Sequence, residues 1–215
     1  MTEIAFILIT LLSFALFYLG SGKDKRVLIF FLFWILVVGI LSLTGFFQRT
    51  DVLPPRLLLV VIPSVFYIIH FYKKLKVESL KVNYLLAIHI LRLPIELVLY
   101  FLFLQKKIPV IMTFHGWNFD IIIGNTAIIL WVYIIISKKA LNKTFFKLWN
   151  IAGIIFLSVI VFIAILSTPS PIQKFAFDQP NIAILQFPFA FLPAVVVPIV
   201  LISHLLCLKA LKARK

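Results

Sequence analysis

Long apolar stretches separated by short polar connections dominate the chain, and they predict transmembrane helices. A helix needs about 20 mostly apolar residues to cross the hydrocarbon core of a bilayer. Seven stretches approach or exceed this length, at residues 3–20, 27–47, 53–72, 83–105, 119–137, 148–166 and 184–208. The pattern therefore predicts an all-α polytopic membrane protein, a single seven-helix bundle in which residues 1–215 form one transmembrane domain.

Prolines indicate where the predicted spans begin and bend. Pro54 and Pro55 mark the start of span 3, because proline is tolerated in the first turn of a helix. Pro94 predicts a kink in span 4, between Arg92 and Glu96. Span 7 is expected to be a bent helix, in which the carbonyls freed by proline need other partners; its prolines are Pro188, Pro193 and Pro198. Such a bend fits either the wall of a cavity or a simple packing requirement.

Composition supports the membrane class. Hydrophobic residues make up 63% of the chain and charged residues 13%, about half the charged fraction of a soluble domain. The mean hydropathy is +1.16. No connection is long enough to bury a soluble core. Cys207 is the single cysteine, which excludes an internal disulfide and a CxxC metal site.

The basic residues predict the orientation of the spans. The net charge is +14, and the basic residues occur in short runs between apolar spans, which favours attraction to anionic lipid over nucleic-acid binding. The connections after spans 1, 3 and 5 and the C-terminal tail hold fifteen of them: Lys23, Lys25, Arg26, Lys73, Lys74, Lys76, Lys81, Lys138, Lys139, Lys143, Lys147, Lys209, Lys212, Arg214 and Lys215. The opposite side holds five: Arg49, Arg56, Lys106, Lys107 and Lys174. The N-terminus is therefore expected outside and Lys215 in the cytoplasm.

The first span does not look like a signal peptide. A signal peptide carries positive charge before its apolar core. Here Glu3 precedes the core, whereas Lys23 and Lys25 follow it, and no A-x-A cleavage site is present. We expect this segment to remain in the mature protein.

Span 4 carries ionisable residues on one face. His89, Arg92, Glu96 and Tyr100 are separated by three or four residues, so their side chains share one side of a helix. A charge inside the membrane is costly unless it faces a partner or a cavity. Arg92 and Glu96 can pair directly along the helix, either as a structural ion pair or as a proton or anion site. We expect both to point into the bundle, with partners from Asn125 or span 7.

The connections on the predicted outer side concentrate further polar residues. The connection after span 4 carries His115, Asn118 and Asp120, and the connection after span 6 carries Asp178. Together with Arg56 they predict either a polar vestibule above Glu96 or an aromatic belt with ordinary helix caps. Asp120 begins span 5, where a carboxylate stabilises a helix N-terminus. The vestibule interpretation predicts that His115, Asp120 and Asp178 approach one another.

Three histidines are weak candidates for metal or haem ligands. His70, His89 and His204 lie in the cytoplasmic halves of their predicted spans, so two or three imidazoles could meet. Each is the only histidine of its span, which favours histidines that are hydrogen-bonded in the bundle. No span holds a lysine suited to a retinal Schiff base.

The sequence resembles an uncharacterised family of small bacterial integral membrane proteins. The resemblance is carried by LPPR, RLPIELVLYFLF, MTFHGWNFD, FAFDQPN and SHL, at residues 53–56, 92–103, 112–120, 175–181 and 203–205. It implies a multi-pass protein of the bacterial inner membrane and no particular activity. Compared with seven-span zinc hydrolases of the ceramidase and adiponectin-receptor type, span 7 has His204 without a second histidine one turn away.

These observations leave three functional hypotheses. The leading one is binding or passage of a small solute or lipid-derived ligand through an outward-facing polar cavity, with Arg92 and Glu96 at its floor. The second is an intramembrane metal- or haem-dependent enzyme, and the third a structural subunit of a membrane complex. The lipid bilayer is the expected partner, and nucleic acid is not. The cofactor and the oligomeric state are left open.

Overall fold

Helices make up the regular secondary structure of the part of the chain that the computed structural model describes, which is residues 2–213. Within it are α1 to α8: Thr2–Gly20, Lys25–Leu43, Leu58–Lys74, Val82–Ile88, Arg92–Leu104, Asp120–Ser137, Lys143–Leu166 and Val197–Ala213. A 3-10 turn, His89–Leu91, joins α4 to α5, and a π-helical segment, Leu192–Val196, leads into α8. Described residues contain no β-strand, so the predicted all-α class is confirmed.

Six helical segments of the described chain are long and apolar enough to cross a membrane. They are Thr2–Gly20, Lys25–Leu43, Val82–Leu104, Asp120–Ser137, Lys143–Leu166 and Leu192–Ala213. Large apolar side chains cover their outer faces; Phe33 and Ile136, for example, are 63% and 76% exposed. An apolar outer surface of this kind requires lipid and not water as its solvent. The chain is a multi-pass membrane protein. The remaining predicted span, span 3, corresponds to α3, which has 17 residues.

The broken helix α4–α5 and α8 form the centre of the bundle. Each is two-thirds buried as a span, against 22% for α2 and 28% for α6. Helix α4 packs against α1, α6 and α8, and α7 and α3 pack against α8. Close approach depends on glycine at two places. A side chain at Gly20 would collide with Leu85, and one at Gly124 would crowd the backbone of Leu93. Side chains on α4, α5 and α8 are therefore brought into contact at the centre.

Several helices begin or end four or more residues from the predicted span boundaries. Helix α2 ends at Leu43, not at residue 47, because Gly45 takes a left-handed conformation (φ 70°) that terminates the helix. Helix α3 begins at Leu58, not at residue 53. Pro54 and Pro55 hold the residues before them out of the helical region, so the pair precedes the helix and does not open it.

Two further helices begin at other residues than predicted, one because of a capping side chain and the other because of a proline. Helix α7 begins at Lys143, not at residue 148, because Asn142 caps it by accepting a hydrogen bond from the amide of Phe145 at 3.0 Å. The last span begins at Leu192, not at residue 184. Residues 183–185 form a separate 3-10 turn, and Pro188 disfavours helical geometry in the residue before it.

The predicted kink of span 4 lies one turn earlier than expected. Helix α5 runs through Pro94 without interruption, and the irregular turn is His89–Leu91. Proline lacks an amide hydrogen and its ring meets the carbonyl four residues back, which is Ile90. The distortion therefore falls before Arg92. It sets His89 and Arg92 at the point where the helix changes direction.

The bend predicted in the last span is present as the π-helical segment Leu192–Val196. Pro198 has no amide hydrogen to donate to the carbonyl of Ala194. Trp34 Nε1 and Tyr67 Oη donate to this carbonyl instead, at 2.9 and 2.8 Å. The freed carbonyl thus has partners from α2 and α3, as the three prolines suggested.

Candidate functional site

The ionisable residues of span 4 face the interior of the bundle, as predicted. Arg92 is 2% exposed, Glu96 1% and His89 fully buried, whereas Tyr100 is half-buried near the helix end. Buried charges are costly in a bilayer unless other groups pair with them. The partners of these side chains therefore define the site.

Arg92 is held by groups from three other helices. Its Nη2 donates to the carbonyl of Gly153 on α7 at 3.2 Å, and lies 3.1 Å from Asp120 Oδ1 at the start of α6. The second contact is close enough for an ion pair but is not aligned as a hydrogen bond. Arg92 Nη1 lies 3.4 Å from Nε2 of His204 on α8. Arg92 therefore pairs with Asp120 and not along the helix with Glu96, which corrects the expected i to i+4 pair.

The hydrogen bonds of His204 define its tautomer. Asn150 Nδ2 donates to the carbonyl of Phe146 at 2.7 Å, which leaves Asn150 Oδ1 as the acceptor facing His204 Nδ1 at 2.9 Å. Nδ1 therefore carries the hydrogen and donates it. Since arginine has only donors, His204 Nε2 offers its lone pair to Arg92. Span 7 thus supplies a partner to Arg92, as predicted, through this histidine.

His89 stacks on His204. The ring centroids are 3.8 Å apart with planes 22° from parallel, and the edge of Trp149 packs against His89. Both ring nitrogens of His89 lack a hydrogen-bond partner in the described structure. The stack packs against Gly153, where any side chain would overlap the His204 ring. Here α7 must carry glycine for the two imidazoles and Arg92 to meet.

Glu96 is bound by the connection between α5 and α6. Its Oε1 accepts a hydrogen bond from Asn118 Nδ2 at 2.6 Å, and Asn118 Oδ1 accepts from the amide of Asp120 at 3.1 Å. The Glu96 Oε2 atom is buried and has no hydrogen-bond partner among the described residues. Asn118 thus links the Glu96 carboxyl to the backbone amide of Asp120, and Glu96 keeps one oxygen available.

These side chains line a small cavity, called here the polar cavity. Arg92, Glu96, Asn118 and Asp120 form its polar wall, and apolar residues of α5, α7, the π-helical segment and α8, with Met112, form the rest. Its volume is about 50 Å³. A water molecule needs roughly 10–15 Å³ measured this way, so the cavity has room for a small polar head group or a few waters.

A larger apolar groove adjoins the polar cavity. It has a volume of about 180 Å³ and lies between α3 and α7, with the π-helical segment and α8 as its floor. The groove and the polar cavity share Leu157, Val161, Ala164, Leu192 and Val197 in their walls. Val65 and Ser158 at its rim are exposed on the outer surface of the bundle. The groove therefore opens on the lipid-facing surface and lies directly beside the polar cavity.

The structure does not assemble the predicted outer vestibule. Asp120 is buried beside Arg92, whereas His115 is exposed and stacks on Tyr100 and Phe114, and Asp178 is exposed. Among the described residues, no hydrogen bond or ion pair joins His115, Asp120 and Asp178. The two connections do meet through the neighbour of Asp178, since Gln179 Nε2 donates to the carbonyls of Phe103 and Ile108.

Arg56 and Asn125 also lie outside the cluster. Arg56 donates to the carbonyl of Phe46 at 3.0 Å and covers the Phe46 ring. Asn125 is exposed and donates to the carbonyl of Ile121 on its own helix, so of the two expected partners, Asn125 or span 7, only span 7 contacts Arg92. It lies five residues beyond Asp120, and therefore on a different face of α6.

Two of the three candidate metal ligands meet. His89 and His204 are in contact, but His70 is exposed on α3 and packs against Phe71. The described residues include no group of three or more His, Cys, Asp or Glu side chains placed to hold a metal ion.

Two contributors from α7 were not predicted from the sequence. Asn150 stood out as a polar residue within a span but had no assigned partner, and Gly153 had no distinguishing signal. Their spacing of three residues places them on one helix face, which is the signal that could have joined them.

Comparison with known proteins adds no identity. No protein-family model, curated protein or solved structure matches the chain. The resemblance to a bacterial family, and with it the inner-membrane location, stays a prediction.

Proposed function

We propose that this protein binds a small amphiphilic, lipid-derived ligand, with its apolar tail in the groove and its polar head in the polar cavity. The observation that supports the proposal is the shared wall of the two spaces, which sets an apolar groove open to the outer surface beside a buried polar cluster. Of the candidate site residues, Arg92, Glu96, Asn118 and Asp120 would contact the head group. His115, Asp178 and Arg56 would not.

The shape and chemistry of the site support an amphiphile over a fully polar solute. The groove wall is apolar apart from Ser64 and Ser158, and Ser64 already donates to the carbonyl of Val60. A hydrated solute would lose its hydration along such a path without replacing it. An alkyl chain loses nothing there, because it leaves one apolar medium for another, and only its head gains hydrogen bonds.

Photolabelling tests the proposal. In lipid nanodiscs, a decanol analogue with a diazirine on its chain should label residues around the groove on α3, α7 and α8, and excess decanol should suppress the labelling. Val161→Trp should abolish it, because Val161 lines both spaces and the larger side chain fills their junction. The matched control is Ile155→Trp on the same helix, since Ile155 is 54% exposed and outside both walls. Labelling spread evenly over the exposed helix faces, or unchanged in Val161→Trp, would refute the proposal.

A further inference from the structure

The charges around the polar cavity do not balance. Arg92 forms its ion pair with Asp120, which neutralises both. Glu96 is a second buried carboxyl in the same wall, and its hydrogen-bond donor is the neutral amide of Asn118. An uncompensated carboxylate at this depth is costly. In the empty site Glu96 therefore holds a proton, and in an occupied site it is able to face a positive charge.

The polar groups left unused in the cavity are mostly acceptors. Both terminal nitrogens of Arg92 are engaged by Gly153, Asp120 and His204, so an anionic head group would find the arginine already neutralised. Glu96 Oε2 is buried without a hydrogen bond, and the contact of Asp120 Oδ1 is its ion pair with Arg92. Arg92 Nε is the one guanidinium nitrogen without a hydrogen bond. Two carboxyl side chains in the wall of one cavity suit a head group that donates hydrogen bonds.

The groups that surround Glu96 indicate which of the two carboxyls changes its charge. Arg92 lies on the same helix, Asn118 on the connection, and Asp120 on α6. Helix α8 adds His204, whose Nε2 accepts from Arg92 and whose stacked neighbour is His89. The cavity walls contributed by α7 and α8 are apolar. Asp120 is held by Arg92, so Glu96 is the carboxyl whose proton can be exchanged.

We propose that the ligand is a lipophilic primary amine, bound as its ammonium ion in exchange for the proton on Glu96. This rests on the proposed amphiphile site and names the chemical class of the head group. In the exchange, the O–H bond of the Glu96 carboxyl breaks and its proton leaves to solvent. The ammonium then donates to Glu96 Oε2 and Asp120 Oδ1, and the alkyl tail lies in the apolar groove. The net charge of the cavity is unchanged by binding.

The test compares head groups on one chain. Binding of decylamine, decanol and decanoate is measured in phosphatidylcholine nanodiscs, with empty nanodiscs as the blank. Decylamine should bind most tightly and release one proton per molecule in weak buffer. Its affinity should rise about tenfold per pH unit while Glu96 stays protonated, because the ligand competes with a proton. The amine itself stays charged across this range, since alkylamines titrate near 10.4.

Glu96→Gln is the decisive variant, because glutamine keeps the acceptor for Asn118 but carries no charge. It should weaken decylamine binding about tenfold or more and abolish proton release, since a charge-assisted hydrogen bond is lost. Glu78→Gln, at an exposed glutamate, is the matched control and should change neither. Proton release and pH dependence in the unmodified protein give the same answer if Glu96→Gln fails to fold.

The outcomes separate this inference from the function on which it rests. Preferential binding of decanoate, weakened by Arg56→Gln and not by Glu96→Gln, would place the head at the mouth of the groove near Arg49 and Arg56. That result would overturn both the amine proposal and the placing of the head group in the polar cavity, and would leave only the apolar groove as a binding site. Equal affinity for all three head groups with no proton release would overturn the amine proposal alone. If no probe binds the unmodified protein more tightly than it binds Val161→Trp, both the amine proposal and the amphiphile site are refuted.

Discussion

At the residue scale, the site depends on an arginine with partners from three helices. Arg92 contacts Asp120 and Gly153 through Nη2 and His204 through Nη1. Arginine suits this role because its planar fork presents several donors in fixed directions. The imidazole of His204 and the glycine of α7 then have to fit together, since no space remains for a side chain at Gly153.

Gly153→Ala should therefore destabilise the protein. The new methyl group would overlap the His204 ring, and moving that ring breaks its contacts with Asn150 and Arg92. Overpacking of this kind costs about 1–3 kcal/mol. Thermal unfolding in detergent should show a lower midpoint.

Gly39→Ala is the matched control for this substitution. Gly39 is also a buried helical glycine, but its added methyl group would lie 3.4 Å from Phe191, an ordinary contact. Its midpoint should be unchanged or higher, since alanine is favoured over glycine in helices by roughly 0.5–1 kcal/mol. Equal midpoints for the two variants would show that the fit between Gly153 and His204 is not tight.

Residue spacing predicted which side chains are buried but not which ones pair. The steps between His89, Arg92 and Glu96 correctly placed all three on the interior face. The same steps suggested that Arg92 and Glu96 pair, because i to i+4 is the only contact that helix geometry gives without tertiary structure. The connection at residues 105–119 brings Asn118 and Asp120 back to the site. It has no helical or strand periodicity from which its path could be predicted.

At the scale of elements, the sequence predicted the apolar helices better than their ends. Apolar length identifies a span, but the ends depend on caps and prolines, as Asn142, Gly45 and Pro55 show. The bend before α8 followed from proline chemistry. Its partners, Trp34 and Tyr67, could not be predicted, because nothing in the local sequence relates α2 and α3 to residue 194.

Either of the two donors to the Ala194 carbonyl should be able to satisfy it when the other is removed. Trp34→Phe and Tyr67→Phe each leave the other donor in place, so each should lower the unfolding midpoint only slightly. The double variant leaves a buried carbonyl without a partner, which costs about 1–3 kcal/mol. Its shift in thermal midpoint should exceed the sum of the single shifts. Tyr84→Phe, at a residue 42% exposed, controls for loss of a hydroxyl. If the shift of the double variant equals the sum of the two single shifts, Trp34 and Tyr67 do not share the Ala194 carbonyl in this way.

At the scale of the whole molecule, α3 decides the number of crossings. Its 17 residues extend about 26 Å at 1.5 Å per residue, slightly less than the hydrocarbon core. It runs parallel to α8: Ser64 and Tyr67 lie beside Pro193 and Ala194, and Lys209 donates to the carbonyls of Tyr72 and Leu75. Helix α8 with its π-helical segment has the length of a span. A helix that accompanies it from start to end should cross as well.

Labelling of single cysteines tests both the seven crossings and the orientation. In a Cys207→Ala background, cysteines replace four exposed residues in separate connections: Gln48, Lys76, Lys139 and Lys174. If α3 crosses and the excess of basic residues faces the cytoplasm, an impermeant maleimide added to intact cells should label positions 48 and 174 but not 76 and 139. Labelling of 48 and 76 from the same side would reduce the protein to six crossings. The reverse pattern at all four positions would keep seven crossings and invert the orientation. The prediction for Lys215 lies outside the described residues, so the same experiment with a cysteine at that position completes the topology.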